Sequence, residues 1–424
     1  MLTTLSTFVQ QSRIRLSIPG KPARARPMKI LIVNDYGTLG GGAEHISLAL
    51  RDGLRQRGHE ARLFASTARH PGLHNVADDV CFGSESAARR LLQVANPWAM
   101  RQLRSVLSRF RPDVVHVRMF LTQLSPLILP LLYRQRSLLH VVNYQTICPI
   151  NTKVLADGSA CHHRAGMACY REGCVSLAGV ARASVQLGLA RRWRDAFDLI
   201  VANSDWTRRR LRAEGIDVTE TIWNGVPVHP PRPPVAWPPT IAYAGRLVAK
   251  KGVGILVRAM TNIVGHLPDV RLLIVGEGPD RSDLERLVGV LELGEHVSFT
   301  GHHPRAEMEA LLARAWVQAV PSLWEEPFGL VAAEAMMRGT AVVATCTGGL
   351  SEQVRSGETG LLVPGGDVDA LAAALLRILK DRSLAEDMGA RGRDVALSEF
   401  RQELVVDRFE QLYTRLVLTR IAEG

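Results

Sequence analysis

The sequence predicts an α/β protein made of two doubly wound parallel-sheet domains that face each other across a cleft. Three observations predict it. Apolar runs alternate with amphipathic stretches along almost the whole chain, the pattern of parallel strands covered by helices on both faces. The alternation comes in two series, divided by a segment so rich in proline that neither helix nor sheet can continue through it. A chain of 424 residues is also too long for one ordinary core and suits two domains of common size.

The first series contains "KILIVND", "DVVHVRM", "LLHVVNY" and "DLIVANS", each read as a buried strand. The second contains "TIAYAGR", "VRLLIVGEG", "HVSFTGH", "VQAVPS" and "TAVVAT". Helical periodicity fills the intervals, as in "AEHISLALRDGLRQRG", "RSDLERLVGVLEL" and "AEMEALLARA". The break is "NGVPVHPPRPPVAWPPT", Asn224 to Thr240. These signals divide the chain into a basic tail over 1–27, a first domain over 28–228, a linker over 229–240, a second domain over 241–395 and a helical segment over 396–424 that packs back on the first domain. The tail holds five basic residues and no acid, so it reads as a disordered arm, with Met28 as an alternative start.

Hydrophobic content of 46% and charged content of 22% are ordinary for a globular protein. The longest apolar run, "LSPLILPLLY", is short of a bilayer span and broken by prolines, and the N-terminus does not read as a secretory signal. The charge is uneven: residues 1–224 carry 31 Lys and Arg against 16 Asp and Glu, and the remainder 21 against 25. A basic first half suits an anionic membrane surface, a polyanion or an acidic substrate, and equally a plain arginine-rich surface. A nucleic-acid partner is not expected, since there is no helix-turn-helix or aromatic-interleaved basic face.

Two stretches carry chemistry. In "AYAGRLVAKKG" a strand ends at Gly245, and Arg246 and Lys251 follow in a glycine-flanked loop before the next helix. A guanidinium fork and an ammonium beside a helix N-terminus suit a diphosphate. In "EEPFGLVAAEAMMRG", Pro327 suits a first helical turn and Gly329 lets the backbone pass close to a ligand. The amides near Phe328, Gly329 and Leu330 are then free to donate. Glu326 and Glu334 fall on about the same helical face, able to hold two hydroxyl-bearing parts of one ligand, while Glu325 reads as a capping acid.

"GRLVAKKG", "VGEGP", "VSFTGH", "PSLWEEPFGLVAAEAMMRGTAVVATCTGGLSEQV" and "TGLLVPGGD" resemble the nucleotide-sugar-binding domain of retaining GT-B glycosyltransferases of the E-x7-E type, glycosyltransferase family four. "GGGAEHISLALRDGLRQRGHEARLF", "VANSDWTRRRLRAEG" and "WNGV" are similar to the acceptor domain of that family. The resemblance runs from about Met28 to the C-terminus and implies a GT-B fold of two Rossmann-like domains. It implies that Arg246 and Lys251 neutralise the donor diphosphate, without a metal or other catalytic cofactor. By the same resemblance Glu326 meets the sugar near the reacting carbon, Glu334 binds the ribose, and Phe328, Gly329 and Leu330 offer amides. Gly41 and Gly42 would let the acceptor domain approach the diphosphate, with Gly245 on the opposite side. The implied partners are a nucleotide-sugar donor and a glycan or lipid-linked acceptor in surface polysaccharide assembly, at a cytoplasmic location peripheral to the inner face of the membrane.

The chain departs from the family pattern where relatives carry a His-Asp pair before "ICP". Val142 and Asn143 stand there instead, with Asn143 a candidate sugar contact and His140 the nearest histidine. An insert follows, in which Cys148, Cys161, Cys169 and Cys174 crowd together. In a reducing cytoplasm four clustered thiols suit a structural zinc, with His162 and His163 as substitute ligands; unliganded thiols and disulfides are the alternatives. The basic runs "RRWRD" and "TRRRLR" read either as a docking surface for anionic lipid or as solvated helix faces.

Overall fold

The computed structural model describes residues 26–38, 40–68, 73–155 and 158–422. Most of the tail foreseen over 1–27 lies outside the described residues. The first domain contributes strands β1 (Lys29–Tyr36), β2 (Glu60–Ser66), β3 (Asp79–Cys81), β4 (Val114–Val117), β5 (Ser137–Val141), β6 (Leu199–Ala202) and β7 (Glu220–Thr221). The second contributes β8 (Thr240–Ala244), β9 (Arg271–Val275), β10 (Val297–Gly301), β11 (Val317–Val320), β12 (Ala341–Thr345) and β13 (Gly360–Val363). They form two sheets, β3-β2-β1-β4-β5-β6-β7 and β10-β9-β8-β11-β12-β13, with parallel neighbours throughout.

Burial explains the continuous apolar strands. Leu31 and Val33 of β1 enter one core, and Ile30 and Ile32 enter another on the opposite face. In β12, Ala341 and Val343 face one core of the second domain while Val342 and Ala344 face the other. A strand covered on both sides has no solvent face on which polar residues could alternate. The strands not singled out in the sequence are β2, β3, β7 and β13. In β2, Arg62 interrupts the run to pair with Asp79, and the other three have two to four residues each.

The chain crosses between domains twice, and the crossings are tied together. Val226 N–H donates to the Phe400 carbonyl at 2.7 Å, and Gln402 N–H to the Val226 carbonyl at 3.0 Å. Beyond that point the helix Gln402–Ala422 returns to the first domain. Its Val405, Val406, Phe409, Leu412 and Tyr413 are buried with Ile30, Leu54 and Leu63. The linker packs on the second domain through Val235, and its Ala236 carbonyl accepts from Trp316 Nε1 at 2.9 Å.

In each sheet the order reverses at one place, between β1 and β4 and between β8 and β11. Connections leave such a point in opposite directions and open a crevice beyond the strands' carboxyl ends. The loops after β1, β8 and β11 meet there across the two domains.

Candidate active site

β8 delivers Gly245 and Arg246 at its end, and a short 3-10 turn, Ala249–Lys251, follows. β11 delivers the segment Pro321–Gly329, which opens the helix Leu330–Arg338. The two loops are stitched by Leu323 N–H donating to the Lys250 carbonyl at 2.8 Å. The Lys250 ammonium lies 4.2 Å from the centre of the Trp324 ring, a cation–π contact.

Glu326 is 5% exposed. Its Oε1 accepts from Lys251 Nζ at 2.5 Å and from Ser322 Oγ at 2.7 Å. Burial pushes its carboxyl up, but the Lys251 charge and the hydrogen bonds outweigh burial and hold it below the ordinary range. Glu326 is therefore a fixed anion at neutral pH. Lys251 and Glu326 have separate tasks in the sequence reading; the fold joins them as one ion pair.

Gly329 has φ +96°, and a Cβ there would stand 2.5 Å from Leu350 Cδ2, so both backbone and space call for glycine. Among the described residues, no acceptor meets the amides of Phe328, Gly329 and Leu330, as expected at the first turn of a helix. Phe328 itself is buried, with its carbonyl accepting from Gln353 Nε2 at 2.6 Å.

Between the domains lies a cavity of about 640 Å³. Gly40, Gly42 and His45 line it from the first domain; Gly245, Arg246, Glu277, His302, Arg305, Leu330 and Glu334 line it from the second. Gly41 caps the helix Gly42–Gln56 just behind. A Cβ on Gly42 would stand 2.5 Å from Leu330 Cδ1, so the two domains meet at this glycine. Arg246 is exposed to the cavity. Glu326 and Lys251 do not line it and sit in the adjoining loops.

Glu334 Oε1 accepts from Arg305 Nη2 at 2.6 Å. Burial raises its carboxyl above the ordinary range, with Arg305 opposing that rise. Arg305 was missed in the sequence. Its only signal was position, at the start of the helix Arg305–Leu312 just past the carboxyl end of β10.

Several expectations need correction. Glu325 caps no helix; it is 4% exposed and bound by Arg210 Nε at 2.6 Å. The run "TRRRLR" is not a free basic face: Arg209 pairs with Glu352 at 3.1 Å, Arg208 with Asp205 at 3.8 Å, and Arg212 donates to the Val218 carbonyl at 3.2 Å. In "RRWRD", Arg194 donates to the Gly215 carbonyl, while Arg191 and Arg192 are exposed. His140 cannot stand in for the family histidine, because its ring is buried 5.0 Å from that of Phe409 on the C-terminal helix. Asn143 is turned to local partners, Met119 Sδ at 3.3 Å and Gln145 N–H at 3.0 Å.

Cys148, Cys161 and Cys169 are buried and Cys174 half-buried, none in a disulfide. Burial pushes the Cys174 thiol up, with Cys169, Cys161 and Cys148 adding to the rise, so the four share one neighbourhood. Among the described residues, however, no three His, Cys, Asp or Glu side chains are arranged to hold a metal. His162 faces Arg210 at 3.1 Å and His163 faces Glu172 at 3.4 Å. No three-ligand set for the structural zinc expected from the clustered thiols is therefore formed among the described residues.

Comparison with known proteins bears on this geometry. Residues 40–229 match the family described as Glycosyltransferase Family 4, and residues 232–395 match Glycosyl transferases group 1. The chain belongs to glycosyltransferase family four. Among curated relatives of this family, it is 35% identical over 238 residues to a phosphatidyl-myo-inositol mannosyltransferase of Mycobacterium leprae, covering 54% of this chain and 62% of that one. It is 39% identical over 169 residues to a GDP-mannose-dependent alpha-(1-6)-phosphatidylinositol monomannoside mannosyltransferase of Mycolicibacterium smegmatis, covering 38% and 44%. The chain thus spans about half the length of the curated relatives it matches. Among solved structures, sucrose-phosphate synthase of Thermosynechococcus elongatus superposes with TM-score 0.72 at 24% identity, over 92% of this chain and 99% of that one. Anabaena HepE in complex with UDP and glucose superposes with TM-score 0.67 at 21% identity, over 91% and 99%. At such identities the likeness is one of fold, the GT-B arrangement of two facing parallel-sheet domains.

Proposed function

We propose that this family-four chain is a retaining glycosyltransferase that moves a sugar from a nucleotide-sugar donor to a lipid-linked or glycan acceptor, with no metal in the transfer step. The observation that carries this reading is the cavity at the two switch points, where Arg246, Gly245, Leu330 and the Glu334–Arg305 pair face Gly42 of the other domain. Glu334 offers its carboxylate to the ribose hydroxyls. Arg246 and the free amides of Phe328–Leu330 meet the diphosphate and sugar oxygens. As the anomeric carbon–oxygen bond breaks, negative charge grows on the departing diphosphate, and a preorganised guanidinium stabilises it most in the transition state. Glu326, kept ionised by Lys251, faces the positive charge growing at the sugar. The acceptor oxygen bonds to the anomeric carbon from the leaving-group side, and its proton passes to a donor phosphate oxygen, so configuration is retained. The curated relatives are named for GDP-mannose and phosphatidylinositol acceptors, which makes a guanosine donor the first to try.

Thermal unfolding with GDP-, UDP- and ADP-sugars tests donor binding. One donor should stabilise the protein by about 2.7 kcal/mol at a hundred times its dissociation constant. No shift with any donor would overturn the reading. One observation favours a second reading, a weakened catalyst acting as a binding subunit: Val142 fills the family's histidine position, and His140 is fully buried against Phe409. In that case a donor would stabilise the chain without being hydrolysed or transferred.

The lipid-linked acceptor has a supporting surface. Residues 86–112 contain six arginines and no acid. Around them Leu91 is 76%, Trp98 54% and Phe82 48% exposed, with the two aromatic rings 5.4 Å apart. Exposed aromatics among arginines suit an anionic bilayer surface, and no helix of the described residues is long and apolar enough to cross a membrane. Co-sedimentation with phosphatidylglycerol vesicles should fall at least about fivefold in Trp98→Ala/Leu91→Ala and weaken with salt. Equal binding by the double variant would remove this surface from the reading.

A further inference from the structure

The helix Asp205–Ala213 belongs to the first domain, yet its N-terminus is seated on the turn of the second domain that carries Glu326. Ser204 Oγ, which caps the helix by accepting from Thr207 N–H at 3.0 Å, donates to the Pro327 carbonyl, and Thr207 Oγ1 reaches the same carbonyl at 3.2 Å. One turn further on, Arg210 forks onto Glu325, Nε to Oε2 and Nη2 to Oε1. On the flank, the Asp205 amide and Arg209 Nη2 both donate to Glu352. The first domain therefore holds the residues on either side of Glu326, Glu325 before it and Pro327 after it.

We propose that Arg210 is a positioning residue for sugar transfer: by pairing with Glu325 across the domain boundary, it fixes the Glu325–Leu330 turn in its donor-holding shape only when the two domains are together. This rests on the transfer reading above. The physical basis is the cost of separating the pair. Glu325 and Arg210 have side chains 5% and 13% exposed, so they exchange one well-shaped bidentate partner for another only if solvent reaches both. With the domains apart, Glu325 turns to water and takes the neighbouring peptide of Glu326 with it. With them together, the fork settles the turn, and with it the Lys251–Glu326 pair and the Phe328–Leu330 amides beside the cleft. The insert backs this contact, since His162 Nδ1 lies 3.1 Å from Arg210 Nη1. That gives the cysteine-containing segment a place beside the turn that the zinc expectation did not supply.

The full chain is compared with Arg210→Met, Arg210→Lys, Glu325→Gln, Arg210→Met/Glu325→Gln, Arg210→Glu and Arg210→Glu/Glu325→Arg, by two readouts. In steady-state kinetics, Arg210→Met should lower kcat about 30- to 100-fold, the loss expected from a misplaced reacting geometry, while donor KM stays within about threefold. The Arg210→Met/Glu325→Gln variant should be no worse than either single change, because both remove one contact. The reversed pair should recover at least about tenfold over Arg210→Glu alone. Small-angle scattering supplies an arm independent of activity: the radius of gyration of the parent chain with saturating GDP or UDP should be smaller than that of Arg210→Met under the same conditions. Should Arg210→Met fail to fold, Arg210→Lys, which keeps the charge but not the fork, carries both readouts. A kcat near the parent's in the folded variant, or losses that multiply in Arg210→Met/Glu325→Gln, would overturn the proposal. If the parent chain transfers no sugar, the proposed function falls while the scattering arm still decides whether this pair holds the domains together.

Discussion

Arg246→Ala is expected to lower transfer about 10²–10³-fold at saturating donor, the loss typical of removing one preorganised group aimed at developing charge. The guanidinium is exposed to the interdomain cavity, at the end of β8 and beside the switch point. Among the described residues no hydrogen bond or ion pair engages its side chain, so the variant should melt within about 1 °C of the parent. Its effect should therefore fall on kcat, because the charge it meets is larger in the transition state than in the bound donor. Glu326→Gln should show a comparable loss on the proposed reading, since it removes the anion proposed to face the sugar while leaving a side chain of the same shape. The measurement is the initial rate of nucleoside diphosphate release from whichever donor stabilises the chain. A rate within about threefold of the parent's in either variant would take these residues out of the mechanism.

Lys251→Met should act differently, through stability first. Removing one partner of a buried pair leaves an uncompensated charge and typically costs about 3–5 kcal/mol. Ser322 Oγ still donates to Glu326, but a neutral donor does not cancel the charge. The pH dependence has a definite sign. In the parent the folded carboxyl of Glu326 lies below its ordinary value. Its contribution to stability is fully present above the unfolded carboxyl range of about 4.3 and is lost as pH falls through the lower folded value. In the variant, burial is opposed only by the remaining hydrogen bonds and raises the folded value, so ionisation on going to neutral pH destabilises it. The gap between parent and variant in urea melts should then be widest near pH 7 and shrink toward about pH 4. A gap that is constant with pH would mean that Glu326 does not titrate as the buried partner of Lys251.

These two variants separate roles that looked alike in the sequence. Arg246 and Lys251 are five residues apart in one glycine-flanked loop, and both read as cations for a diphosphate. The fold exposes one to the cavity and commits the other to Glu326. The acids divide in the same manner. Glu325 and Glu326 are neighbours in sequence, but one is paired with Arg210 of the first domain and the other with Lys251 of its own.

By itself the sequence determined the class of the fold and its two-domain organisation. Continuous apolar strands, helical periodicity and clustered prolines are local signals, written in consecutive residues and tied to backbone chemistry. It also determined the turn Pro327–Leu330, because a glycine at positive φ and a proline at a helix start are local requirements. Only the tertiary structure decided the partners of the charges. Arg210 and Glu325 are 115 residues apart, and Arg305 and Glu334 are 29 apart. Which of several arginines meets which acid depends on how the two sheets bring loop ends together, and a side chain four bonds long records nothing of that in its neighbours. The same reason makes the run "TRRRLR", which read as either a lipid-docking or a solvated face, a domain contact through Arg209 and Arg210, and leaves the four thiols without a three-ligand set among the described residues.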